Sequence, residues 1–276
     1  MDLKILRATP PWEWPKNTGK ELQRILMESR TGASDRLIAV ELAGEPTVIT
    51  DDLAGVLLAI LGSPGEPEKV RAKAAISLGP VLEEADMDGF EDPDDVPISE
   101  SMFHTIQESL KKLYFDDSIP KLVRRRILEA AVRAPEDWHK DAIHAAYASG
   151  DRDWMLTAVF AMRWVRGFDD QILDALKSAD PQIHVEAVEA AGNWELDAAW
   201  PHVAALVQDP ATPKPLLLAA IDSLAGIRPK EAGRILVDLA DSDDEEIAEA
   251  ADEAMMMADA ERYDPDDEEE DDDWIN

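Results

Sequence analysis

The chain has 276 residues, 45% of them apolar, which is enough for a folded protein and excludes wholesale disorder. It contains no cysteine, so disulfides, thiolate catalysis and cysteine-ligated zinc are excluded together. Its 27 basic and 60 acidic residues leave a net charge of −33, which disfavours binding of a nucleic-acid backbone by the surface as a whole.

The opening, MDLKILRATPPWEWP, lacks the long apolar core of a signal peptide. The longest apolar run, Leu53 to Leu61, is about half the ~20 residues that span a bilayer. A soluble, cytoplasmic protein without membrane contact is expected. Residues 1–17 crowd Pro10, Pro11, Trp12, Trp14 and Pro15 too closely for a helix interior and read as an extended segment. A first helix is predicted from Thr18 as N-cap, with Glu21 completing a capping box. Its partner runs from Asp35 to Ala43 and stops at Gly44. The second pair joins Asp51–Leu61 to the stretch from Pro67 to Gly79. The run EEADMDGFEDPDDVP then predicts an acidic surface loop over 83–97, because acids, Gly and Pro interrupt any helix. Further pairs are predicted near 99–132, 136–166, 168–192, 198–226 and 231–258, the last opened by a capping box of Ser242 and Glu245. Residues 261–276 form an acidic low-complexity tail closed by Trp274 and Ile275.

One phrase recurs through these pairs. PEKVRAKAAISLG from Pro67 returns as PKLVRRRILEAAV from Pro120, RDWMLTAVFAMRW from Arg152, PQIHVEAVEAAG from Pro181, KPLLLAAIDSLAG from Lys214 and DEEIAEAADEAM from Asp244, with a weaker copy, ASDRLIAVELAG, from Ala33. Copies at a step of 28–35 residues, apart from the one step that holds the acidic loop, mark stacked units that cannot bury an apolar face alone. The fold class is therefore all-α: an α-solenoid of about seven antiparallel helix pairs over residues 18–260. Acids precede many of the second helices; Asp180-Pro181 and Asp209-Pro210 have the pattern of an N-cap followed by proline in the first turn. The pattern resembles HEAT repeats, in their short form also called HEAT-like or phycobilisome-lyase-type repeats. Val70, Arg71, Ala74, Ala75, Leu78 and Gly79 carry the resemblance, with Ile183, Ala187 and Gly192 in a later copy. It implies the fold, whereas function varies across such repeats, from scaffolds and adaptors to lyases and hydroxylases.

No catalytic, cofactor or metal motif stands out. The five histidines, His104, His139, His144, His184 and His202, contain no His-Glu-x-x-His, and none has the adjacent glutamate that the resemblance to HEAT-like diiron hydroxylases would require. G-x-G-x-x-G, P-loop and G-x-S-x-G patterns are absent. The expectation is a non-enzyme without cofactor: a protein–protein interaction scaffold or adaptor. The alternative is an acidic chaperone or nucleic-acid-mimicking decoy shielding a basic partner, with a lyase-type enzyme further behind. The middle of the chain, residues 101–166, has eleven bases against nine acids, a net of 11 − 9 = +2, and is rich in Trp and Arg. These residue types are enriched in binding hot spots, so Arg124, Arg125, Arg163, Arg166, Trp154 and Trp164, with Trp274 of the tail, are the candidate partner-binding residues. The expected partner is another protein, either a basic protein or an acidic peptide segment.

Overall fold

In the computed structural model, which describes residues 1–28, 32–92 and 96–260, every regular element is helical. The chain divides into two units, Met1–Ala148 and Ser149–Asn276. The boundary falls in the turn inside the fourth predicted pair.

In the first unit, α1 (Leu3–Ala8) and a 3-10 turn (Pro11–Glu13) precede the pairs α2 (Thr18–Met27) with α3 (Ala33–Leu42) and α4 (Asp51–Gly62) with α5 (Glu68–Ile76). Then come α6 (Gly79–Asp88), the pair α7 (Glu100–Tyr114) with α8 (Lys121–Ala131), and α9 (Trp138–Ala148). The second helices stack on one another, α3 on α5 on α8, and the first helices stack likewise, α2 on α4 on α7. The apolar residues that drive this recur every three or four positions: Phe103, Ile106 and Leu110 of α7 are buried, while Lys111, Lys112 and Glu108 face away. Leu53, Leu57 and Leu61 of α4 are buried in the same way, each side chain stabilising the unit by about 1.5–3 kcal/mol.

The second unit repeats this logic with α10 (Arg152–Ala161), α11 (Asp169–Ala175), α12 (Pro181–Asn193), a 3-10 turn (Asp197–Ala199), α13 (Trp200–Gln208), α14 (Lys214–Ile227), α15 (Pro229–Ala240) and α16 (Glu245–Ala260). Here α10, α12, α14 and α16 stack in sequence. The all-α class is as expected, and stacked helix pairs within each unit are the build of an α-solenoid.

Small residues let the second helices approach. A Cβ on Gly192 would lie 2.5 Å from Ser223 Cβ, and one on Gly44 would lie 2.1 Å from the Ser77 carbonyl oxygen. Neither glycine is left-handed. The glycine at the end of the repeat phrase therefore serves close helix approach rather than a left-handed helix stop, which corrects the reading of Gly44.

Other local expectations also change. Residues 1–17 are not extended throughout: Asp2 caps α1 by accepting from the amides of Lys4 and Ile5, and Leu3 and Leu6 are buried. The prolines restrict only the chain from Pro10 onward. The acidic stretch continues helically to Asp88, because Val81, Leu82 and Ala85 bury at helical spacing while Asp86 and Asp88 are exposed and Glu83 pairs with Arg133; it stops at Gly89, φ 69°. Thr18 is not an N-cap but lies buried in the first turn, since Pro15 already accepts from its amide at 2.9 Å. Asp180 and Asp151 do cap their helices. Asp209 instead accepts from Ala211 within a turn, and Asp244 rather than Ser242 accepts from the amide of Glu246.

Candidate functional site

The candidate partner-binding residues fall in both units. In the first, Arg124 is half-buried and pairs with Asp117 at 3.0 Å. Arg125 is only 7% exposed, its guanidinium 3.8 Å from the buried Glu129. That corrects its reading as a surface contact: adjacent residues on a helix lie about 100° apart, and α8 turns Arg125 inward while Arg126 pairs with Glu129 from the exposed side. In the second unit Arg163 pairs with Glu189 at 2.6 Å and lies over the Trp164 ring, 5.1 Å from its centroid. Arg166, exposed, covers Trp194 at 4.4 Å, and the Trp194 indole N–H donates to the Met162 carbonyl at 2.6 Å. Trp154 and Trp164 are half-buried, with Phe160 4.7 Å from Trp164. Arg163 and Arg166 are thus each drawn onto an indole of their own unit. Trp274 and the tail lie outside the described residues.

Arg124 shares its place in the repeat phrase with Arg36 and Arg71. The arginine at its position in two earlier copies turns back onto the end of the preceding helix: Arg36 Nη1 donates to the Leu26 carbonyl at 2.8 Å, and Arg71 Nε to the Leu61 carbonyl at 2.9 Å. Each satisfies a carbonyl that the helix end leaves without an intrahelical donor and places positive charge at the negative end of the dipole.

A groove that the sequence reading left out lies at the N-terminal end of the first unit. It encloses about 720 Å³. One wall carries Pro11, Trp12, Trp14, Pro15, Lys16 and Lys20, and the other carries Pro46, Val48 and Asp52. The wall is built locally. Trp14 Nε1 donates to the Thr9 carbonyl at 2.8 Å, folding the segment back after α1. The 3-10 turn then leaves Trp12 80% exposed. Lys16 and Lys20 flank the first turn of α2, and both are exposed. Among the described residues neither has an ion-pair partner, although the chain carries a charge of −33. Residues 1–28 hold five bases against four acids, 5 − 4 = +1, a local reversal of the chain's sign. The signal was present in PPWEWPK: two tryptophans and a lysine among prolines, with Lys20 one helical turn on.

Two histidine environments are at least partly shielded from solvent, one in each unit. His139 of α9 is fully buried; its Nδ1 accepts from the Glu136 amide at 2.8 Å, which puts its proton on Nε2. Burial, with a smaller contribution from the Lys111 charge, pulls its pKa down to about 3. His184 of α12 and His202 of α13 meet Nε2 to Nε2 at 2.8 Å, their rings 5.0 Å apart and both half-buried. Burial lowers both pKa values, and for His184 the proximity of His202 adds to the effect. Among the described residues, no group of three or more His, Cys, Asp or Glu side chains is arranged to hold a metal ion. No helix among them is long and apolar enough to cross a membrane.

No protein-family model matches the chain, and no curated protein matches it. Among solved structures it is similar to human deoxyhypusine hydroxylase in complex with glycerol, at 16% identity over 91% of this chain and 93% of that one, TM-score 0.41. It is also similar to YibA from Escherichia coli, at 14% identity over 89% of this chain and 84% of that one, TM-score 0.45. An engineered protein aligns at 19% identity over 75% of this chain and 96% of that one, TM-score 0.42. The likeness is one of helical-repeat build, and it transfers no substrate or site residue to this chain. It does correct the expectation of a non-enzymatic scaffold or adaptor, together with its decoy alternative. One of the similar structures is an enzyme, so a chain of this build without a familiar catalytic motif is not thereby a non-enzyme.

Proposed function

We propose that the N-terminal groove binds an acidic, extended segment of another protein, whether that protein is a substrate or a partner. The observation that carries this reading is the pair of lysines without ion-pair partners beside two tryptophans, in a chain otherwise dominated by acid. Aromatic-lined grooves take extended, proline-containing peptides because such segments are already ordered and lose little entropy on docking. Lys16 and Lys20 would meet the carboxylates of the segment, and Asp52 on the opposite wall would accept from its amides or cations. Membership of the HEAT-repeat family and a cytoplasmic setting, the latter in keeping with the absence of cysteine, are parts of the same reading. The test is fluorescence anisotropy with a labelled peptide of alternating prolines and glutamates, and a lysine-for-glutamate peptide as control. The glutamate peptide should bind and the control should not. Trp12→Ala and the double reversal Lys16→Glu/Lys20→Glu should each weaken binding about tenfold or more, the range of a lost hot-spot contact. Equal affinity of the double reversal and the wild type would overturn the proposal.

A further inference from the structure

The His184–His202 contact in the second unit is not part of the groove. The two imidazoles come from neighbouring helices, α12 and α13, and face each other through Nε2. Among the described residues no protein group other than this partner is recorded for either ring. Both rings are half-buried, so the pair is held by packing yet open on one side.

For two neutral imidazoles the contact at 2.8 Å demands opposite tautomers: one ring donates from Nε2 and the other accepts with its Nε2 lone pair. A metal ion requires both lone pairs. The donor ring need only carry its proton on Nδ1 instead, and Nδ1 has no protein partner to lose. No proton is released, and both rings stay neutral.

Imidazole nitrogen suits divalent copper, nickel and zinc, and among these copper binds a given nitrogen site most tightly. We propose that His184 and His202, with a small turn of the rings that lets both Nε2 lone pairs converge, form a two-imidazole site for a divalent transition-metal ion, copper above all, with water in the remaining positions.

The surroundings favour a cation. Residues 167–261 hold five bases against 22 acids, 5 − 22 = −17, and such a field raises the local concentration of positive ions.

The acidic surface also binds divalent ions loosely, so the experiment must separate nitrogen from oxygen ligation. Cu²⁺ is added to the full chain in excess magnesium, which occupies carboxylates, and the sample is read by electron paramagnetic resonance. The expected result is one equivalent of copper with superhyperfine splitting from two nitrogens, reduced to one nitrogen or lost in His184→Gln and in His202→Gln. An unchanged spectrum in the double variant, or oxygen ligation alone in the wild type, would overturn the proposal. Should the variants fail to fold, imidazole ¹⁵N spectra of the wild type with Zn²⁺ as a diamagnetic stand-in decide. Shifts at Nε2 confined to these two histidines support the site, and their absence contradicts it.

Discussion

Arg36 and Arg71 turn their guanidinium groups back onto a carbonyl at the end of the helix before their own. In these two pairs the arginine of the repeat phrase is thus a positioning residue that ties the second helix to the end of the first. Arg71→Met keeps the aliphatic stem but leaves the Leu61 carbonyl without its buried donor, which should cost about 1–3 kcal/mol in urea unfolding. An unchanged midpoint would show that the bond contributes nothing. The sequence displays the arginines but not their directions, so Arg124 and Arg125 look alike on the page, whereas the helix leaves one half-buried and turns the other into the core. His139 was equally silent in the sequence. Its folded pKa of about 3 lies below the ordinary 6.5, so the unfolded chain binds the extra proton as pH falls. Stability from this residue is present above about pH 6.5 and declines toward pH 3. Between pH 7 and 5 the wild type should lose about 2 kcal/mol more than His139→Gln. Parallel losses in the two proteins would show that the buried imidazole is not responsible.

At the scale of elements, periodicity made the pairs legible. Apolar residues at three- and four-residue spacing, repeated at a nearly constant step, locate α2 to α5 and α7 to α16 before any coordinates. The misses, α1 and the first half of the acidic stretch, share one cause. Proline and acid composition averaged over a window hid the short apolar sets Leu3/Leu6 and Val81/Leu82/Ala85. Glycine had two meanings that composition does not separate. Gly192→Ala puts a Cβ 2.5 Å from Ser223 and should destabilise by about 1–3 kcal/mol. Gly55→Ala, inside α4 with nothing within 4 Å of the new methyl, should stabilise by about 0.5–1 kcal/mol. Thermal melts of the two variants should shift in opposite directions, and shifts of the same sign would contradict the close-approach account.

For the molecule as a whole, charge distribution says more than net charge. The chain is acidic by 33 charges, and Lys16 and Lys20, which have no ion-pair partner among the described residues, stand out because they share a groove with Trp12 and Trp14. The sequence held these lysines and both tryptophans in view. Only the fold brings them opposite Pro46, Val48 and Asp52 to make a groove. The Arg/Trp set of the middle was the more conspicuous in sequence, yet Arg163 is taken up by Glu189 and Arg166 stacks on Trp194. The measurement that bears most directly on the groove is a charge swap. Dissociation constants of glutamate- and lysine-bearing proline peptides are compared on the wild type and on Lys16→Glu/Lys20→Glu at fixed salt. The account predicts that preference inverts, with the reversed groove losing the glutamate peptide and gaining the lysine peptide. Preference for the glutamate peptide that survives the reversal would contradict it.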